Sequence, residues 1–225
     1  MTISPTPASN LPTHAHSKIE WCWLGQVPFG EALVNQREYR ESILRDHAPD
    51  MLWLLEHPDV VTVGRRPVPG LPSRHTLAQA GIGFVTTERG GLATWHGPGQ
   101  LIVYVLVDVV SRALGVKSTI QALEQGIINW LNIHEIQAHR SDLGRGIWVG
   151  DNKIGSIGMH FRKGVSMHGL SLNLTSDLSR FQFITPCGIK NGGVTSVLNE
   201  RGDSPTPAQA ASSVASHLIQ ALTVG

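Results

Sequence analysis

One cysteine and one lysine stand where this sequence could do covalent chemistry. Cys187 lies between Pro186 and Gly188, and Asn191-Gly192-Gly193 follows shortly after. A loop of that composition can leave the sulfur exposed and aim backbone N–H groups at it, where they would hold the oxyanion of an attacked carbonyl. A thiol at its ordinary pKa is only partly thiolate at neutral pH, so a nucleophilic role requires a cationic or basic neighbour. A small, half-buried structural cysteine fits the local residues equally well. Lys153 heads a strand pattern in which positions 153, 155, 157, 159 and 161 share a face reading Lys, Gly, Ile, Met, Phe. Such a lysine either snorkels out of a strand end or sits in a pocket, where desolvation lets it exchange a proton. From the strand alone, snorkelling is the simpler reading.

The longest specified loop is RGGLATWHGPGQ, from Arg89 to Gln100, with four glycines ahead of the apolar run LIVYVLV. Glycines beside a core strand indicate that something approaches the backbone closely. A simple turn needs far less, so Arg89 and His96 read as site residues. His168, in MHGLS, reads as a satisfied core histidine. The histidines lack metal spacing: no HExxH or CxxC is present, and His134 and His139 have no third ligand in register. No GxxxxGK[ST] loop appears. The glycines of GRGIWVGDNKIGSIG do not form a strand–GxGxxG–helix unit.

Composition removes whole classes of function. The net charge is 18 − 17 = +1, so no field is expected that would hold nucleic acid or an anionic membrane. The longest apolar runs are strand length, which argues against a spanning helix. The opening MTISPTPASNLPTHAHS has no signal-peptide core and reads as a loose tail over residues 1–17, leaving 18–225 as one domain. Two cysteines in 225 residues are not a disulfide framework, and a reducing cytoplasm is the expected compartment. Cys22, between two tryptophans, reads as packed and inert.

The positioning elements can be placed in outline. Strands are expected at Ile19–Leu24, Met51–Glu56, Val60–Val63, Ile82–Thr87, Leu101–Val107, Ile147–Val149, Lys153–Phe161 and Val165–Leu174, with a turn at Gly150-Asp151-Asn152. Helices are expected from Pro28 to about His47, from Ser118 with Gln121 completing a capping box, and from Thr206-Pro207 onward. PVPGLPSR is expected to be loop. Strands joined by short turns outnumber helices. The fold class is therefore α+β, a mixed, mostly antiparallel sheet packed with helices.

RGGLATWHGPGQLIVYVLVDV, KIGSIGMHFRKGVSMHGLSLNL and FITPCG together resemble the lipoyl(octanoyl) transferases, the octanoyl-[acyl-carrier-protein]:protein N-octanoyltransferases. The resemblance runs from about Ile19 to Leu198. It implies a fold like the catalytic domains of biotin and lipoate protein ligases, and a dyad falling on Cys187 and Lys153. It implies an acyl pocket lined by Arg89, Gly90, Gly91, Leu92, Ala93, Thr94, Trp95 and His96, by Ser156, Ile157 and Gly158, and by Gly169, Leu170 and Ser171. The implied donor is octanoyl-acyl carrier protein. The implied acceptors are the lipoyl domains of 2-oxoacid dehydrogenase complexes and the glycine cleavage H protein. No cofactor or metal is implied, and a monomer is expected. Gly91 and Gly158 would leave room for the chain, and Arg65, Arg66, Arg162 and Lys163 would meet the acidic carrier. Met159-His160 departs from the more basic pair expected there. Three alternatives stand beside this: an ATP-dependent lipoate or biotin ligase, which would not need Cys187, a non-catalytic protein binding acyl chains or carrier domains, and a cysteine amidase or protease, which would want a histidine base paired with the cysteine.

Overall fold

The computed structural model describes residues 18–66, 68, 70–184 and 193–223. The 1–17 segment and Cys187 lie outside them.

Everything is built around β6 (Gln100–Leu106), in which all seven residues are buried. A strand covered on both faces reads as a continuous apolar run rather than an alternating one. Its two faces meet different partners. Leu101, Val103 and Val105 join Leu52 and Leu54 of β2 (Met51–Glu56) beneath two helices, α3 (Val116–Ile133) and α5 (Pro207–Thr223). Ile102 and Tyr104 join Leu55 and Ala32, and Leu106 joins Phe29, Leu33 and Ile43, all under α1 (Phe29–Asp46). The two long helices α3 and α5 cross closely at Gly126, where a Cβ would stand 3.0 Å from Leu218 Cδ2 and 3.1 Å from the His217 carbonyl.

The large sheet runs β1-β2-β6-β10-β9-β8-β7. β1 is Glu20–Gln26, β7 His139–Ser141, β8 Gly144–Val149, β9 Asn152–Arg162 and β10 Val165–Asn173. Among the described residues, only β1 against β2, and the short β11 (Gly193–Val194) against β9, are parallel pairs in it. A second, smaller sheet runs β4-β3-β5 (Gly83–Thr86, Val60–Val63, Ala93–His96). It has its own core of Val61, Leu77, Ile82, Ala93, Trp95, Phe181 and Ile184. Sheet and helix content match the expected α+β class. Among the described residues, no helix is long and apolar enough to cross a membrane.

Three local expectations are corrected. Residues 93–96 are not loop: they form β5, antiparallel to β3, where the β-formers Thr94 and Trp95 find a partner strand. The proline-rich stretch ends in a short helix, α2 (Arg74–Gln79), started by Ser73, whose hydroxyl accepts the Thr76 N–H at 3.1 Å. Finally α3 begins at Val116, two residues earlier than expected. Ser118 is not its N-cap but its third residue, whose hydroxyl accepts the N–H of the capping Gly115 at 2.8 Å.

Candidate functional site

An inner cavity of about 60 Å³ lies between the two sheets. The small sheet contributes Thr94 and His96 from β5. The large sheet contributes Ile102 and Tyr104 from β6, Ser156 to Gly158 from β9 and His168 to Ser171 from β10. Phe29 of α1 and Arg89, Gly91 and Leu92 of the loop before β5 complete it. Gly91, Leu92 and Ser156 to Gly158 also line an open groove of about 790 Å³, which takes in Lys153, Arg65, Arg66, Arg145 and the apolar Val116, Ile120, Leu143, Met159 and Phe161.

Strand alternation sorts the expected pocket residues. Thr94 and His96 face the cavity, while Ala93 and Trp95 point into the small sheet's own core. Trp95 donates its indole N–H to Asp59 Oδ1 at 3.0 Å. Gly90 lines the groove rather than the cavity. Ser156-Ile157-Gly158 is mid-strand, as the expected strand over 153–161 implies, and pairs with Ser171, Leu170 and Gly169 in register. Gly158 leaves less free space than expected. A Cβ there would stand 3.0 Å from the Gly90 carbonyl and 3.2 Å from Arg89 Cδ, so this glycine lets the loop lie against β9. The Gly90 N–H to Met159 carbonyl bond, 2.9 Å, fastens that approach.

Phe29, Ile102, Tyr104 and His168 also line the cavity, though the sequence reading left them out of the pocket. Ile102 and Tyr104 sit in an unbroken apolar run, which carries no signal of which parity faces a ligand. His168 departs from the satisfied core histidine expected. It is buried, has φ +62, and among the described residues its Nε2 has no hydrogen-bond partner, with Glu88 Oε2 at 3.9 Å. A non-glycine residue held in that conformation stores local strain, a feature that clusters at binding sites.

Lys153 does not snorkel. It is 5 % exposed, its Nζ donates to the Arg145 carbonyl at 3.0 Å, and it stands 4.7 Å from the centre of the Trp148 ring. A carbonyl and an indole face are the partners that hold an amine out of bulk water. Arg89 is also buried; its Nη2 donates to the Thr62 carbonyl (2.8 Å) and hydroxyl (2.9 Å), and its Nη1 to the Gly90 carbonyl (3.0 Å). Those bonds tie the loop to β3. The expected basic patch divides. Arg65 and Arg66 line the groove with Arg145, whereas Arg162 pairs with Glu41 at 3.1 Å. Among the described residues, no group of three or more His, Cys, Asp and Glu side chains could hold a metal ion.

Three imidazoles around the cavity are held neutral. Burial pushes His57 down to about 4 and His96 and His168 down to about 3. In the unfolded chain each returns to about 6.5. Above that pH folded and unfolded forms bind the same protons. Below it the unfolded chain takes up protons that the fold excludes, so stability is full above pH 6.5 and is lost as pH falls toward the folded values. The three together are expected to remove about 4 kcal/mol between pH 7.5 and 5.5, from about 1.4 kcal/mol each. Urea denaturation at the two pH values measures this; equal midpoints would show that these rings titrate normally in the folded chain.

The family "Lipoyl protein ligase A/B catalytic domain" matches residues 30–219. The chain belongs to that family. An octanoyltransferase of Alkaliphilus metalliredigens is 41% identical over 177 residues, covering 77% of this chain and 81% of that protein. One of Solibacter usitatus is 40% identical over 192 residues, covering 80% and 86%. The resemblance carried by RGGLATWHGPGQ and its companion segments is thus borne out. Among solved structures, lipoate-protein ligase A bound with ATP superposes with a TM-score of 0.67 at 18% identity, over 93% of this chain and 85% of that one. Biotin protein ligase of Aquifex aeolicus gives 0.53 at 12%, over 91% and 69%. At those identities the likeness concerns the fold, and the fold is the expected one.

Proposed function

We propose that this chain, as a single catalytic domain, moves an octanoyl group from octanoyl-acyl carrier protein to a lysine amine of a lipoyl domain, through a thioester on Cys187. The observation that carries the reading is the joined pair of spaces: a largely apolar cavity that shares its lining with a groove in which a buried lysine, Lys153, is held by a carbonyl and a ring. The relatives' octanoyltransferase names support it.

In the first half-reaction the Lys153 amine takes the Cys187 thiol proton, and the thiolate attacks the thioester carbonyl. The carrier's thiolate leaves and takes the proton back. In the second, the acceptor amine attacks the new thioester, Lys153 receives a proton from the amine, and Cys187 leaves as thiolate and is reprotonated. A thioester is already activated, so the balance needs no nucleotide. Ile102, Leu170, Ile157 and Phe29 supply the apolar walls for the chain, and burial at about 0.8 kcal/mol per methylene supplies most of its binding energy. Arg89, Gly91, Thr94, His96, Gly158, Gly169 and Ser171 shape the same cavity. Arg65, Arg66 and Arg145 face the groove without an acidic neighbour in its lining, which suits an anionic carrier protein. Lipoyl domains, including those of 2-oxoacid dehydrogenase complexes and the glycine cleavage H protein, are the acceptors. The enzyme is read as a cytoplasmic monomer.

Intact-protein mass after mixing with octanoyl-acyl carrier protein, without ATP, tests the proposal on wild type and Cys187→Ser. An octanoyl adduct on wild type, absent from the variant and discharged by a lipoyl domain, is the expected result. Modification of the lipoyl domain only with free acid and ATP would overturn it.

A further inference from the structure

Behind the cavity runs a chain of buried side-chain amides whose direction is set at both ends by backbone carbonyls. Asn173 Nδ2 donates to the Thr195 carbonyl at 2.9 Å. A carbonyl can only accept, so Asn173 must present Oδ1 to its other neighbour, and Gln100 Nε2 donates to it at 2.8 Å. The same Gln100 nitrogen faces the Trp95 carbonyl at 3.4 Å, which fixes its orientation a second time. Gln100 Oε1 is thereby left toward His96 Nδ1, at 2.6 Å, and an amide oxygen requires a proton on that nitrogen. Gln100, Asn173 and His96 are all buried. His57 carries a parallel arrangement: its Nδ1 lies 2.6 Å from the Val27 carbonyl and its Nε2 2.7 Å from the Tyr104 hydroxyl.

The far end of the chain is tied to the lysine strand. The Thr195 N–H donates to the Lys153 carbonyl at 3.0 Å, and β11, which immediately precedes Thr195, pairs with Asn152 and Lys153. Hydrogen bonds on either side of the Thr195 backbone thus link the cavity wall at His96 to the backbone of Lys153.

We propose that Gln100 and Asn173 are positioning residues: they lock His96 as the neutral Nδ1–H tautomer, with Nε2 an acceptor only, and hold the cavity wall in register with Lys153. His96 is then a wall and an acceptor, never an acid, and the proton traffic of the reaction falls to Lys153. The second half of this inference rests on the proposed octanoyl transfer; the tautomer does not. A ring buried this deeply also resists protonation, in keeping with its depressed basicity.

Long-range proton–nitrogen NMR on histidine-labelled protein reads the tautomer directly. The expected spectrum has His96 protonated at Nδ1 and bare at Nε2, unchanged from pH 5.5 to 8. A proton on Nε2, or a titration in that range, would overturn the assignment in wild-type protein whatever any variant does. Asn173→Asp keeps shape but loses the donor to Thr195. It is expected to lower kcat for octanoyl transfer by about 100-fold, the scale of a small misplacement of reacting groups, with KM within about two-fold. Asn173→Ser, which keeps a short donor, should recover part of that loss. An unchanged kcat in Asn173→Asp with the wild-type tautomer as assigned would sink the coupling to Lys153. If the mass experiment fails while the tautomer is found, the reaction reading is at fault and not the relay.

Discussion

Replacing Lys153 by methionine is expected to lower octanoyl transfer by about 10²- to 10⁴-fold, the range over which a positioned proton-transfer group acts. The side chain is 5 % exposed, and its Nζ reaches the Arg145 carbonyl and the Trp148 ring. Methionine fills a similar volume in the same channel, so the fold should tolerate it while the proton acceptor is gone. Arginine should not rescue. Its guanidinium stays protonated at any working pH, and the channel is narrow: a Cβ on Gly146 would already stand 3.3 Å from Lys153 Cε. Single-turnover transfer from octanoyl-acyl carrier protein measures the effect. Wild-type rates in Lys153→Met would remove Lys153 from the mechanism.

Gly169→Ala is expected to be the most destabilising single-methyl change in the pocket walls. A Cβ there would lie 2.0 Å from the Val103 carbonyl oxygen, 3.0 Å from its carbon and 3.3 Å from Tyr104 Cα. These are backbone atoms of β6, the central strand, and they cannot rotate away. The β6–β10 ladder must open around them, so the cost should reach or exceed about 3 kcal/mol, the upper end for overpacked cores. Gly30→Ala is the control: it lies in α1 with nothing within 4 Å of the added methyl, and should be neutral or slightly stabilising. Urea midpoints of the two variants decide. Equal midpoints would contradict the spacing of β6 and β10.

Much of this was legible in the residues, for physical reasons that also mark where reading fails. A buried central strand announces itself by an unbroken apolar run, and Leu101–Val107 is readable for that reason, one residue off the observed Gln100–Leu106. Which of its faces would meet a ligand was not, because an unbroken run has no alternation to read; Ile102 and Tyr104 were missed on that account. Lys153 reads from the sequence as a candidate at a strand end, which it is, but as a snorkelling one, which it is not, since its partners, the Arg145 carbonyl and the Trp148 ring, come from the neighbouring strand. The loop from Arg89 was recognised by its glycines. Its last residues became strand only through pairing with Val60–Val63, a contact with a strand some thirty residues earlier in the chain. His168 looked like core because its neighbours are apolar; its left-handed backbone and unpartnered nitrogen are tertiary facts. Cys187 lies outside the described residues, so its role rests on sequence and family.

The cavity is bounded on one side by the central sheet and on the other by a sheet drawn almost wholly from a single stretch, residues 60–96, with an interior of its own. The jaw is therefore modular. Substitutions inside that stretch, at Val61, Leu77 or Ala93, act first on the small sheet and reach the large one where the two are tied, from His96 to Gln100 and from the Gly90 N–H to the Met159 carbonyl. A lineage, or an engineer, that revises the wall formed by Thr94 and His96 must keep those few ties, while the apolar walls on β6, β9 and β10 belong to the other sheet.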